Sequence, residues 1–284
     1  MNEQIVIITP AGRSEPVRWF AGPFSALGGH WNLTREMTRR DIQGRYRGTS
    51  FGLLWSLISP FMMLCVYTLA FGFIMKSRWP GAHGDLGEFA LILFVGLIVH
   101  GFFVECLTRA PLAIVGNVNL VKRIIFPLDL LAWTVVLSAL FHFFANAMVF
   151  IALSLVLLHH APWHVLLLPL VMLPLVFLSI GVTWILAALG VFLRDLSQVM
   201  GIVSTALLFL SSAIVPVSTL PEGYQLAFHL NPLTFIIDQA REVAFWGRMP
   251  DWEGLLMYTA AALAVMVAGH LFFQKARRGF ADVL

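Results

Sequence analysis

Residues 130–193 read LLAWTVVLSALFHFFANAMVFIALSLVLLHHAPWHVLLLPLVMLPLVFLSIGVTWILAALGVFL, with no Asp, Glu, Lys or Arg among them. A helix rises 1.5 Å per residue and the hydrocarbon layer is about 30 Å thick, so one crossing takes roughly 20 apolar residues. The stretch is too long for one crossing and right for two. The hinge between them is His159, His160, Ala161 and Pro162, with Trp163 just beyond at the depth where aromatic side chains meet headgroups.

The whole chain agrees. Of 284 residues, 59% are hydrophobic and only 12% charged, and the mean hydropathy is +0.85. A soluble globule still exposes roughly a quarter to a third of its extended surface, and so much apolar surface requires lipid to cover part of it. Four further apolar runs mark the other spans, the second of them interrupted only by Glu105 near its end. Six crossings are expected, at about 51–75, 89–109, 129–158, 163–192, 196–217 and 254–274. Cys65 and Cys106 lie inside apolar runs and read as buried thiols, not as a disulfide or metal site.

The fifth run is irregular. It contains Ser211, Ser212, Pro216 and Ser218, followed by Pro221. Proline breaks a helix, and the freed backbone groups need partners that lipid cannot supply. The segment 216–250, with Asn231, Pro232, Asp238, Arg241 and Glu242, is expected to form re-entrant or surface-lying helices. An ordinary external loop with an amphipathic helix is the alternative.

Basic residues set the orientation. Of the eighteen Lys and Arg, all but Lys76, Arg78, Arg241 and Arg248 fall on one side of a six-span arrangement. That side is expected to be cytoplasmic and to hold both termini. No removable signal peptide is visible, because residues 1–50 contain basic residues but no apolar core segment. The pI of about 9.1 follows from this topology and does not indicate nucleic-acid binding.

Two cytoplasmic segments stand out. Residues 28–48 combine Trp31, Leu33, Met37, Ile42 and Tyr46 with Arg35, Arg39, Arg40, Arg45 and Arg47, as in a helix lying at the inner surface. The plainer reading is a positively charged flank. Residues 112–126, bracketed by Pro111 and Pro127, predict about three helical turns, partly apolar and partly basic. Such an element suits docking to a partner groove or resting on lipid. In the tight turn Arg194–Asp195, the two residues are expected to cap the helices that meet there.

The chain lacks the phosphate-binding loop G-x-x-x-x-G-K-[ST], the H-E-x-x-H zinc motif and C-x-x-C. Glu105 is the best candidate for a coupling acid in an ion-driven carrier, but Arg109 four residues later points to an ion pair at a helix end. Asp238, Arg241 and Glu242 read as a structural ion-pair cluster before they read as catalytic. Twenty-four Phe, nine Trp and four Tyr serve first as lipid-facing and interfacial residues. Some can line a path for sugar rings, which stack on aromatic faces. Phe61, Tyr67, Phe71 and Phe73 on the first span are candidates.

Patches in a fixed order then resemble a family. Arg39–Arg40–Asp41–Ile42–Gln43–Gly44–Arg45–Tyr46–Arg47–Gly48–Thr49 leads into Phe51–Gly52–Leu53–Leu54–Trp55–Ser56–Leu57–Ile58–Ser59–Pro60, and Tyr67–Thr68–Leu69–Ala70–Phe71–Gly72 follows. Further on come Gly116–Asn117, Leu120–Val121–Lys122–Arg123, Phe126–Pro127, Phe192–Leu193–Arg194–Asp195–Leu196, Asn231–Pro232–Leu233–Thr234 and Gly279–Phe280–Ala281–Asp282. Over residues 28–284 this resembles ABC-2-type polysaccharide export permeases, and its first-span form looks most like the O-antigen type. Relatives often have Ser-Pro where this chain has Ser211–Ser212–Ala213–Ile214–Val215–Pro216, so the bend is displaced.

The resemblance implies an all-α permease of six spans that acts as a homodimer. Each copy would bind a cytoplasmic P-loop ATPase, and ATP and Mg would sit on that partner with no cofactor in this chain. The cargo implied is a lipid-linked glycan: O-antigen, capsular polysaccharide or teichoic acid. Segment 28–48 is similar to the family's interface helix, with Arg39, Arg40, Arg45 and Arg47 as diphosphate contacts. Asn117, Leu120, Val121, Lys122 and Arg123 would couple to the ATPase. Trp55, Phe61, Tyr67 and Phe71 would line the path. Pro216, Pro221, Asn231 and Pro232 would form the outward gate. Competing readings are an exporter of a drug or small lipid, a membrane-embedded transferase using Asp238 and Glu242, and a non-transporting scaffold.

Overall fold

In a computed structural model the chain is described over residues 22–75, 79–82, 84–121 and 126–283. All its regular elements there are helical. α1 (Gly22–Gly29) and α2 (Trp31–Tyr46) precede the first apolar helix, α3 (Trp55–Tyr67). α4 (Leu86–Arg109) is followed by two single turns, α5 (Leu112–Val115) and α6 (Val118–Val121). Then come α7 (Asp129–Leu157), α8 (Leu168–Phe192), α9 (Leu196–Phe209), α10 (Glu222–His229), α11 (Pro232–Ala244), α12 (Trp252–Ala276) and α13 (Phe280–Val283).

Among the described residues, five helical stretches are long and apolar enough to cross a membrane: Gly52–Ile74, Leu86–Arg109, Asp129–Leu157, Trp163–Phe192 and Trp252–Gly279. The long uncharged run is two spans, hinged at the expected residues, and His159 adopts a positive φ of 59° in the turn. The expected fifth span does not form one helix. α9 has 14 residues, about 21 Å, and ends at Phe209.

α4 is the central helix. Leu91, Ile92, Leu93, Phe94 and Val99 are enclosed on all sides by α7, α8, α9 and α11. α8 and α12 cross backbone to backbone. A Cβ on Gly181 would lie 2.7 Å from Met266 Cα, and one on Gly269 would run into the Gly181 carbonyl. Small residues at such a crossing let van der Waals contact replace the hydrophobic drive that lipid removes. Gly190, farther along α8, receives the backbone of Pro111, which seats the start of α5 directly on this helix.

α3 lies at the edge. It begins with a 3-10 turn (Gly52–Leu54), contains Pro60 and ends in a π-helical stretch, Thr68–Ile74, closed by Met75 N–H donating to Ala70 O at 3.0 Å. Phe61, Met62, Val66 and Phe73 are exposed on the single chain. So is Cys65, against the expectation that both thiols are buried; Cys106 is buried. The difference lies in position, since Cys65 is on the outer face of the edge helix and Cys106 on the central one.

Candidate functional site

Among the groups of polar side chains built into the bundle, two bear on function, one at each end. The first is at the arginine-rich end. α2 packs along α7, with Trp31 and Leu33 exposed, and ion pairs tie it to the last turns of α4. Arg109, in the last turn of α4, donates from Nη2 to both oxygens of Asp41 on α2, at 2.5 and 2.7 Å. Glu105, one turn earlier, accepts from Arg45 at 2.6 Å and from Arg109 at 3.2 Å. Its other oxygen lies 2.9 Å from His142 Nδ1 on α7. Tyr46 stacks edge-on against His142, and partial burial pushes its phenol above the ordinary value. Glu105 is therefore the hub of an ion-pair network joining the surface helix to two spans. The expected pair with Arg109 is present. Asp41, Arg45 and His142 join it from segments too distant in sequence for spacing to show.

Beside this network lies a cavity of about 690 Å³ between α2 and the turns α5 and α6, lined by Met37, Asp41, Arg109, Leu112, Asn117 and Leu120 among others. Where about three helical turns were expected over 112–126, the described residues form two single turns, α5 and α6. The chain breaks at Gly116–Asn117, where the Asn117 amide donates to Ala113 O at 2.9 Å. Lys122 and Arg123 lie outside the described residues. Of the four arginines expected as diphosphate contacts, Arg40 pairs with Glu36 at 2.9 Å and Arg45 with Glu105. Arg39 and Arg47 are exposed and make no ion pair among the described residues. On the first span, Tyr67 and Phe71 stack with centroids 6.1 Å apart, Trp55 packs edge-on with Phe51, and Phe61 faces outward. Asp195 precedes α9 but makes no side-chain cap, contrary to expectation.

The second group is at the opposite end, where the fifth run breaks. Asn231 caps α11 by accepting from Leu233 N–H at 2.9 Å, with Pro232 at the first helical position. Its amide nitrogen also reaches the Leu207 and Leu210 carbonyls, each at 3.1 Å, and so covers the frayed end of α9. The remaining break is held by Arg241. This side chain is 2% exposed. It donates to Ile92 O at 3.0 Å, Ser212 O at 2.6 Å and Ala213 O at 2.8 Å. Asp238 lies 3.6 Å away, and the Trp79 ring centroid is 4.1 Å from the guanidinium carbon. Gly96 on α4 makes room, because a Cβ there would sit 2.6 Å from Arg241 Nη2. The cost of interrupting a helix among apolar neighbours is thus met by one guanidinium. Pro216 and Pro221 open the short elements Val217–Thr219 and Glu222–His229.

Sequence reasoning placed Arg241 in a structural ion-pair cluster with Asp238 and Glu242 and missed this role. The signal was available. Leu233, Ile236, Ile237, Ala240 and Ala244 form the buried stripe of α11, and position 241 falls on it.

Comparison with known families settles what this architecture is. The family model described as ABC-2 type transporter matches residues 32–245. The chain belongs to the ABC-2 type transporter family. It is similar to the O-antigen export system permease protein RfbA of Myxococcus xanthus, at 27% identity over 88% of this chain and 94% of that protein. A protein of the same name from Klebsiella pneumoniae is 23% identical over 91% of this chain and 97% of its own length. The polysialic acid transport protein KpsM of Escherichia coli is 27% identical over 81% and 88%. This ABC-2 permease is a multi-pass, all-α membrane protein consistent with the inner membrane, and it is a non-catalytic transport subunit. Among the described residues no group of His, Cys, Asp and Glu could hold a metal ion.

Proposed function

We propose that this ABC-2 permease is the transmembrane subunit of an ATP-driven exporter that moves undecaprenyl-diphosphate-linked polysaccharide of the O-antigen type. The observation that carries the reading is collinear similarity to O-antigen export permeases over nearly the full length of both chains. The functional form is a homodimer with two copies of a cytoplasmic P-loop ATPase, which binds ATP and Mg. α9 and the link that follows it make the sixth crossing, so both termini and α2 face the cytoplasm.

In this scheme ATP-driven closure of the ATPase pushes on segment 112–126 through Asn117, Leu120, Val121, Lys122 and Arg123. The Pro111–Gly190 contact passes the push to α8, and the Glu105 network passes it to α2. Arg39 and Arg47, free of ion pairs among the described residues, are best placed for diphosphate oxygens, because a guanidinium fork matches phosphate geometry. Arg40 and Arg45 flank them. Trp55, Phe61, Tyr67 and Phe71 offer ring faces to the glycan. Pro216, Pro221, Asn231 and Pro232 shape the outward gate.

The test is export from cells that supply the lipid-linked polymer, with the permease and its ATPase expressed together. Polymer should reach the far side of the membrane with wild type. It should stop when Val121 and Lys122 are both replaced by acidic residues, as ATPase association is lost. Full export and normal association in that variant would remove the coupling assignment. The similarity to polysialic acid transport proteins supports a second reading, capsular polysaccharide as cargo. The same assay with an acidic capsule polymer separates the two.

A further inference from the structure

At the α10–α11 end a cavity of about 390 Å³ opens between Trp79, the link after Pro216, α10 and α11. It is at the lower end of the roughly 300–1,000 Å³ that small-molecule sites occupy. Its walls combine two kinds of surface. Trp79 and Trp246 contribute indole rings, and the Trp79 ring is held in place by the Arg241 guanidinium. Asp238, Glu242, Gln225, His229 and Ser218 contribute polar groups. The Gln225 amide nitrogen donates to Leu220 O at 2.8 Å, which fixes that side chain in the wall and leaves its oxygen as an acceptor. The Asp238 and Glu242 side chains are 46% and 33% exposed, and their ion-pair partners are 3.6 and 3.7 Å away, so both retain oxygens for a ligand.

We propose that this cavity is a saccharide subsite within each protomer, which takes a sugar unit of the glycan at the far side of the membrane. It rests on the glycan reading above and adds a binding place that is separate from the first-span aromatics. A sugar ring presents an apolar C–H face and a rim of hydroxyl donors. Indole rings match the face and carboxylates match the rim. A phosphate would meet two carboxylates and is disfavoured by them. A lipid tail would meet too many polar groups. Because Arg241 already holds Trp79 and the broken helix, the wall is preorganised, and binding needs little further ordering.

The test uses the permease–ATPase complex in lipid nanodiscs, with tryptophan fluorescence read against maltotetraose, chitotetraose, mannotetraose and inorganic diphosphate. At least one neutral tetrasaccharide should shift the emission saturably, and diphosphate should not compete with it. Glu242→Gln and, separately, Trp246→Leu should each weaken that binding about tenfold, the loss of roughly one charge-assisted hydrogen bond or one stacked ring. Thermal unfolding of each variant checks that it is folded, and neither change touches the bonds Arg241 makes. The subsite is overturned if no tetrasaccharide moves the signal, if diphosphate displaces the sugar, or if both folded variants bind like wild type. Polymer export by the wild-type complex judges the glycan reading on its own. Export with no variant effect removes the subsite alone, and sugar binding at this cavity without export removes the exporter reading alone.

Discussion

Arg241→Met removes the guanidinium but keeps an unbranched apolar side chain in its place. Three backbone carbonyls, of Ile92, Ser212 and Ala213, then lose their donor. A buried unsatisfied carbonyl costs about 1–3 kcal/mol, so the loss is about 3–9 kcal/mol. Against this stands the cost of burying the cation. Burial pushes the Arg241 pKa down to about 10, worth roughly 3 kcal/mol that methionine recovers. The carbonyls win by about 3 kcal/mol at the centre of these ranges. For a chain of this size that is a fall in unfolding temperature on the order of 6–12 °C. The sign with pH is also fixed. A cation whose folded pKa is depressed is protonated in both states below about pH 10, so its contribution changes only above about pH 10, where stability rises with pH until the unfolded chain also loses its proton. The gap between wild type and Arg241→Met should therefore stay constant from about pH 6 to 9. Scanning fluorimetry and size-exclusion chromatography in detergent measure both points. A variant that stays monodisperse and melts within about 2 °C of wild type would refute the assignment of Arg241 as the group satisfying the broken helix.

Gly96→Ala places a methyl against Arg241 Nη2 and the Ala213 carbonyl and should cost about 1–3 kcal/mol, measured by the same melt. Its cost should shrink in the Arg241→Met background, because the two changes disturb one contact. Glu105→Gln should weaken the attachment of α2 by about 1–3 kcal/mol, a range that allows for solvent around the half-exposed Arg45. Hydrogen exchange should then quicken at the amides of Trp31–Tyr46 and stay unchanged in α12. Gly269→Ala should lower yield and melting temperature more than Gly201→Ala, since a Cβ at 201 meets nothing within 4 Å; equal effects would contradict the close crossing of α8 and α12.

The spans were legible where charge alone decides. The uncharged run 130–193 and its His159–Pro162 hinge gave two helices at nearly their observed bounds, because lipid tolerates few other arrangements. The helix start at Asn231–Pro232 went unread although its signal is local, an Asx cap with proline at the first position. The break after Phe209 was signalled by its serines and Pro216, but its partner was not. Arg241 reaches it from α11, and Ile92 is 149 positions away from Arg241 in sequence. The Glu105 hub was half legible for the same reason, since Arg109 is one turn away and Asp41, Arg45 and His142 are not. The π-helical end of the first span left no readable mark, because nothing in TLAFGFI separates π turns from α turns; Gly72 lies there against Leu86 and Phe89.

The two joints on α8 bear on how this transporter could be re-engineered. At Gly181 and at Gly190 main chain meets main chain, with no rotamer between them to absorb an added atom. A mutational library seeking altered cargo should freeze positions 181, 190 and 269 and spend its diversity on the outward-facing side of α3, where Phe61, Met62, Val66 and Phe73 can change volume without moving a neighbouring backbone.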